Sequence, residues 1–183
     1  MTPRFARPRL CLLAALAVLA GACGEERSPE PARAAGEGVV VHPVDGDTLV
    51  VDLAGHEERV RLIGIDTPES VAQDRPVECF GPEAKDRLAA LLPAGTAVRL
   101  ERDVEARDRY DRLLAYVHRT SDDVLINLLL VQEGFAEARR FEPNVARQAE
   151  LDTAEAEARA AQRGLWAACG GTDVTTGPVG STP

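Results

Sequence analysis

Between residues 38 and 119 the chain crowds five short stretches of strand character around a single helical stripe, and this constrains the fold more than any other feature. Gly38 to His42 and Asp47 to Leu53 read as strands, the second alternating about Thr48, Val50 and Asp52. Glu57 to Ile65 reads as a third, turned back on the second through Ala54-Gly55-His56. Thr96 to Arg102 and Leu113 to Arg119 add two more around the charged loop Asp103 to Arg112. The helical stripe is Ala84, Leu88, Leu91 and Leu92, with Pro82 suited to a first helical position and Pro93-Ala94-Gly95 ending the run. A short apolar helix is expected over Val124 to Glu133, stopped by Gly134, and an Ala-rich helix from an Asn144 cap to Arg163, stopped by Gly164 before Trp166. Strands that come early, without a helix after each one, argue against a parallel sheet. They predict a mostly β chain with α (an α+β fold), a five-stranded barrel of the OB type with about three helices.

The ends of the chain read differently. Met1 to Ala22 has a basic start (Arg4, Arg7, Arg9), an apolar run from Leu10 to Leu19 and small residues before Cys23, the pattern of a signal peptide and too short for a spanning helix. Leu19-Ala20-Gly21-Ala22-Cys23 resembles a bacterial lipobox, which would make Cys23 a lipidated anchor. Ala20-x-Ala22 also fits ordinary signal-peptidase cleavage at the same bond. Either way the chain is expected to be exported, as a lipoprotein of the cell membrane facing outward or as a secreted protein. Residues 23–37 read as a flexible tether and 170–183, rich in Gly, Thr and Pro, as a disordered tail. The folded domain is then expected over 38–169, enough for one core.

Loss of the signal would remove three arginines and no acids, taking the formal charge from −9 to −12. A protein that grips nucleic acid through a broad basic face should be basic, so any phosphate binding here has to be local and metal-assisted. Once Cys11 leaves with the signal and Cys23 serves as the anchor, Cys79 and Cys169 remain. In an oxidising exterior they are expected to form a disulfide, the other reading being two buried thiols. The absence of Cys-x-x-Cys or paired-His spacing argues against zinc. His42, His56 and His118 read as structural or solvent-facing, and Asp122-Asp123 with Glu150, Asp152, Glu155 and Glu157 as solvated surface.

The chemistry concentrates in residues 45–69. Asp45-Gly46-Asp47-Thr48 opens one strand, and Arg61-Leu62-Ile63-Gly64-Ile65-Asp66-Thr67-Pro68-Glu69 closes the next, threading acids and a guanidinium through an apolar hairpin. Hard divalent cations such as calcium take carboxylate and carbonyl oxygens, which Asp47, Asp66 and the Thr67 carbonyl can supply. Asp45 either supports such a group or only opens the turn. Arg61 and Asp66 are five apart, so strict alternation would aim them at opposite faces. A shared site requires the strand to break between them, and Gly64 is the residue to do it.

The order Asp-Gly-Asp-Thr, Arg-x4-Asp-Thr-Pro-Glu, Gly-Pro-Glu-Ala, Asp-Arg-Tyr-x-Arg-x-Leu-Ala-Tyr and Gly-Leu-Trp resembles the staphylococcal nuclease-like (thermonuclease) family over residues 38–168. The resemblance implies calcium held by Asp47, Asp66 and Thr67, with Glu69 as general base or water-orienting group. It implies Arg61 and Arg112 on the phosphate oxygens, Arg112 also assisting the departing 5′-oxygen. Arg109 and Tyr110 match positions that contact nucleotide. Two departures stand out. Asp111 precedes Arg112 where the family usually has Gly, and an acid there can pair with the arginine and hold it from substrate. Glu137-Ala138-Arg139-Arg140-Phe141 lacks the tyrosines that stack the nucleotide, leaving Arg140 or Phe141 to substitute.

The expected activity is calcium-dependent hydrolysis of DNA or RNA with little sequence preference, leaving 3′-phosphate ends, by a monomer. The competing reading is a nuclease-like module that kept the barrel and serves as a nucleic-acid or protein binding domain. Binding-only members typically lack several of the acids and arginines, whereas Asp47, Arg61, Asp66, Glu69 and Arg112 are all present here.

Overall fold

The computed structural model describes residues 34–70, 77–172 and 174. The expected signal peptide, Cys11, Cys23 and most of the expected tether and tail lie outside them. Five longer strands make the barrel: β1 (Ala34–Pro43), β2 (Thr48–Leu53), β3 (His56–Leu62), β5 (Ala97–Glu101) and β6 (Leu113–Arg119). Three two-residue strands, β4 (Ile65–Asp66), β7 (Val124–Leu125) and β8 (Glu137–Ala138), accompany them. The helices are α1 (Gly81–Leu91), α2 (Ile126–Glu133), α3 (Gln148–Ala160) and the single turn α4 (Leu165–Ala168).

The sheet runs β3-β2-β1-β5-β6-β7, and parallel pairing of β3 with β6 closes it into a barrel. Closure removes the unpaired edges that an open sheet of this size would expose. β1 pairs with both β2 and β5, with register shifts between Val40 and His42 and between Ala34 and Gly36. Irregularities of this kind bend a strand, letting one strand serve two sides of a tight barrel. The β2–β3 turn is Ala54-Gly55, both at positive φ (56° and 90°), the two-residue geometry that matches strand twist. Alternate residues Leu49, Val51, Val60, Leu62, Val98, Leu100, Ala115 and Val117 fill the barrel, and Leu88 of α1, Leu130 of α2 and Leu151 of α3 join the same core. Burial of each of the valine and leucine side chains contributes about 1.5–3 kcal/mol.

Several boundaries differ from expectation for local reasons. β1 begins at Ala34, within the stretch expected as tether. Val124 and Leu125 add to the edge of β6 before α2 begins, and a short α4 joins the three expected helices. Asn144 does not cap α3. Its buried side chain accepts from the Glu105 amide at 2.8 Å, and the helix starts four residues later at Gln148. His118 is buried, 2.8 Å from Glu101. His42 and His56 are exposed.

Cys79 and Cys169 are bonded across a sequence separation of 90. On the loop-entropy model such a closure stabilises by about 4.6 kcal/mol. Nearby, Trp166 packs with Leu165, Ala158 and Phe80 in a small second cluster.

Candidate active site

Three breaks in regular structure bring the acids and arginines together. The first is the bend that carries Asp47 between β1 and β2. Val44 and Asp45 both donate to the Thr48 carbonyl, and the Leu62 amide donates to the Asp47 carbonyl at 2.9 Å. Gly46 is required there, because a Cβ would lie 2.7 Å from Thr67 Oγ1 and 2.9 Å from the Ala84 Cβ. Asp45 supports the bend: its carboxylate accepts from the Gly46 amide and from the amide and hydroxyl of Ser70.

The second break is at Gly64. β3 ends at Leu62 rather than Ile65, and the chain turns through Ile63-Gly64, with Gly64 at φ 79°. Ile65 and Asp66 then pair with β8. Arg61 and Asp66 consequently meet, with Nη2 3.0 Å from Oδ1, while Arg61 Nη1 lies 2.9 Å from Asp47 Oδ2. Asp47 Oδ2 also accepts from the Thr67 amide and hydroxyl, at 3.2 and 3.1 Å. The two carboxylates thus converge on one guanidinium whose side chain is only 11% exposed. Arg139 brings a second cation, 2.8 Å from Asp66 Oδ2.

The third break is the loop before β6. Asp108 accepts from the amides of Tyr110 and Arg112 at 2.9 and 3.0 Å and from Arg112 Nε at 2.7 Å. Burial favours the neutral Asp108 carboxyl, but the donors from Arg112 and Tyr110 outweigh it and hold its pKa below the ordinary value. The acid that pairs with Arg112 is therefore Asp108. Asp111 sits at φ 64°, is exposed, and lies nearest Arg107, at 3.5 Å. That conformation explains why glycine suits the position, and Asp is among the few other residues that adopt it readily.

Asp47, Arg61, Asp66, Thr67, Glu69 and Arg112 all line one cleft of about 630 Å³, joined there by Asp45, Arg59 and Lys85. Four cations face four acids, so a phosphate can be held locally in a strongly acidic chain. A second cavity of about 390 Å³ shares Arg61 and Arg112 and adds Arg109, Tyr110, Phe141 and Glu142. Tyr110 stands beside both arginines, 4.7 Å from Arg109 and 5.5 Å from Arg112, and the Arg61 guanidinium lies 5.9 Å from the Phe141 ring. An aromatic face next to a guanidinium pair suits a base attached to a bound phosphate. Of the two candidates offered for stacking, Phe141 lines this cavity. Arg140 lines neither; it turns to Glu142 at 2.6 Å.

Sequence reasoning missed Asp108, which holds Arg112; Arg139, which pairs with Asp66; and Glu78, whose carboxylate accepts from the Glu69 amide. The Asp-x-Tyr-x-Arg spacing could have shown Asp108, since an aspartate accepting from the amide two residues on is a common turn device. Nothing in the sequence distinguishes Arg139 from Arg140.

Oxygen donors of this kind fit a hard divalent cation, with Asp47 and Asp66 as charged ligands and Thr67 beside them. Among the described residues no group of three or more His, Cys, Asp or Glu side chains is arranged to hold a metal. Two carboxylates leave the remaining coordination to neutral oxygens and water.

A closed five-stranded barrel carrying a cleft lined by acids and arginines defines an OB-barrel protein. Residues 59–168 match the staphylococcal nuclease homologue family model. The chain is 38% identical to the thermonuclease of Staphylococcus hyicus over 127 residues, 69% of this chain and 73% of that one. It is 41% identical to the thermonuclease of Staphylococcus intermedius over 128 residues, 70% and 74% of the two chains. It is 34% identical to endonuclease YncB of Bacillus subtilis (strain 168) over 129 residues, 69% of this chain and 60% of that protein. The chain belongs to the staphylococcal nuclease homologue family.

Proposed function

We propose that this chain hydrolyses phosphodiester bonds of DNA or RNA in a calcium-dependent reaction with little sequence preference. It is a phosphodiester-cleaving nuclease, as its family and its thermonuclease and endonuclease relatives indicate. The observation that carries the finer reading is the gathering of Asp47, Arg61, Asp66, Thr67, Glu69 and Arg112 in one cleft from four separate stretches of chain.

Hydrolysis needs a positioned water, stabilisation of charge on phosphorus and help for the leaving oxygen. Glu69 takes the first role, as base or as the group that orients the water. Arg61 and Arg112, which line both cavities, fork onto the non-bridging oxygens, and Arg112 also assists the leaving oxygen. Tyr110 and Phe141 carry the base. Bound at Asp47 and Asp66, calcium would supply Lewis-acid polarisation of the phosphate. Arg61 pairs with both Asp47 and Asp66, the two carboxylates that would hold the cation.

The test is incubation of the purified chain with plasmid and single-stranded DNA, with calcium or with chelator. Cleavage that requires calcium and is lost in Asp66→Ala is expected. Cleavage unchanged by chelator and by Asp66→Ala overturns the calcium reading, and no cleavage under any condition favours a binding module.

We also propose export with lipidation at Cys23, on the sequence of residues 1–23 alone. Mass spectrometry of the membrane fraction should show a diacylglyceryl mass absent in Cys23→Ala.

A further inference from the structure

Glu69 ends the Asp-Thr-Pro-Glu segment, beyond the last residue of β4, and Glu78 holds its backbone at two points. The Glu69 amide donates to Glu78 Oε2 at 2.8 Å, and the Glu78 amide donates back to the Glu69 carbonyl at 3.0 Å. Glu78 in turn stands at the start of α1. The Gly81 amide donates to the Glu78 carbonyl at 3.1 Å, and a Cβ at Gly81 would lie 2.5 Å from the Glu69 carbonyl oxygen. The helix start is thus packed directly on the Glu69 backbone, with no room for a side chain between them. The next residue, Cys79, is cross-linked to Cys169 just beyond α4.

The geometry points to Glu78 as a positioning residue for the reaction: its carboxylate fixes the Glu69 backbone in the cleft, and the Cys79–Cys169 bond anchors Glu78 against the helical layer. A carboxylate accepting a backbone amide is a strong, short hydrogen bond, and with the return bond it forms a two-point clamp. Two points define both the place and the direction of the Glu69 backbone, which a single bond would leave free to rotate. Glu78 lines neither cavity, so it acts on substrate only through Glu69. This inference rests on the reading of Glu69 as the group that activates or orients the water.

The experiment is steady-state kinetics on full-length Glu78→Ala, Glu78→Gln, Glu69→Ala and the double variant Glu69→Ala/Glu78→Ala, with thermal melts of each. Small displacements of a catalytic group cost rate rather than affinity, so Glu78→Ala should lower kcat about tenfold with KM within about twofold. Glu78→Gln keeps an acceptor oxygen at the same reach and should recover kcat to within about threefold. Because Glu78 works through Glu69, adding Glu78→Ala to Glu69→Ala should lower kcat no further. Unchanged kcat in Glu78→Ala, or an additive loss in the double variant, overturns the inference while leaving Glu69 in its role. Unchanged kcat in Glu69→Ala overturns both. Glu78→Asp, which keeps the charge but shortens the reach to the Glu69 amide, covers the case in which Glu78→Ala melts too early to assay: a well-folded Glu78→Asp with lowered kcat and KM near the parent supports the clamp, and one with the kcat of the parent overturns it.

Discussion

Arg61 and Asp66 are five residues apart in the chain, yet their side chains meet at 3.0 Å because the backbone leaves the sheet at Gly64. A strand continued through Asp66 would have sent the two to opposite faces. Gly64 therefore governs both folding and the site. At φ 79° an alanine is strained, and its Cβ would lie 2.5 Å from Leu151 Cδ1, which would have to turn aside. Gly64→Ala is expected to lower stability by about 1–2 kcal/mol, read from urea melts. Cleavage by the folded fraction should also fall, since any shift of the turn moves Asp66 away from Arg61.

Asp66 is shared between Arg61 and Arg139. A divalent cation at Asp66 would compete with Arg139 or sit beside its charge, and both effects weaken binding. Arg139 is 44% exposed, so solvent moderates the effect to about 0.5–1 kcal/mol, or about two- to fivefold in affinity. Isothermal titration of Arg139→Gln with calcium should show tighter binding by that factor, and Arg139→Lys should stay close to the parent. Equal affinity in Arg139→Gln would mean that the ion pair costs the cation nothing.

The buried Glu101 and His118, with the half-buried Arg147, lie away from the cleft and give stability a defined acid limb. Glu101 accepts from Arg147 Nε and Nη2 at 3.1 and 2.7 Å and lies 2.8 Å from His118 Nε2. Burial favours the neutral acid, but hydrogen bonds and charge from Arg147 and His118 outweigh it and bring the pKa below the 4.5 of an unperturbed glutamate. A depressed folded pKa means stability that is fully present above the unfolded value and lost as pH falls through the folded one. Glu101→Gln should therefore cost about 2 kcal/mol at pH 7. The gap from the parent should close as pH drops below about 4.5, measured by denaturant melts across the acid range.

The barrel was legible because its signals are local. Alternation in β2, the Ala54-Gly55 turn and the Pro82 start of α1 each announce an element within a few residues. The cleft was legible for a related reason, since Asp47, Arg61, Asp66 and Glu69 fall within one hairpin and its continuation. What escaped depends on contacts between distant segments. β4 and β8 are two residues each, too short for periodicity, and their pairing decides that Arg139 rather than Arg140 faces Asp66. Asn144 looks like a helix cap until Glu105, 39 residues earlier, claims its side chain. Glu78 likewise reads as one more surface acid until the fold lays it against Glu69.

The two acids that precede Arg112 in the loop before β6 invite opposite expectations from those their sequence positions suggest. Asp111 is adjacent to Arg112 but points to Arg107, and its distinguishing property is a left-handed backbone. Asp111→Gly relieves that conformation and adds freedom to the unfolded chain, two effects of about 1 kcal/mol that oppose each other. Its melting temperature and kcat should both stay near those of the parent. Asp108, four residues before the arginine, makes three hydrogen bonds that shape the loop and orient the guanidinium. Asp108→Ala removes all three and leaves Arg112 free to sample many rotamers, so cleavage should fall about tenfold or more. Asp108→Asn keeps an acceptor for the Tyr110 and Arg112 amides but weakens the charge-assisted bond to Nε, so it should fall between the two. If Asp111→Gly instead raised cleavage severalfold while Asp108→Ala left it unchanged, Asp111 would be the acid that restrains Arg112 in solution.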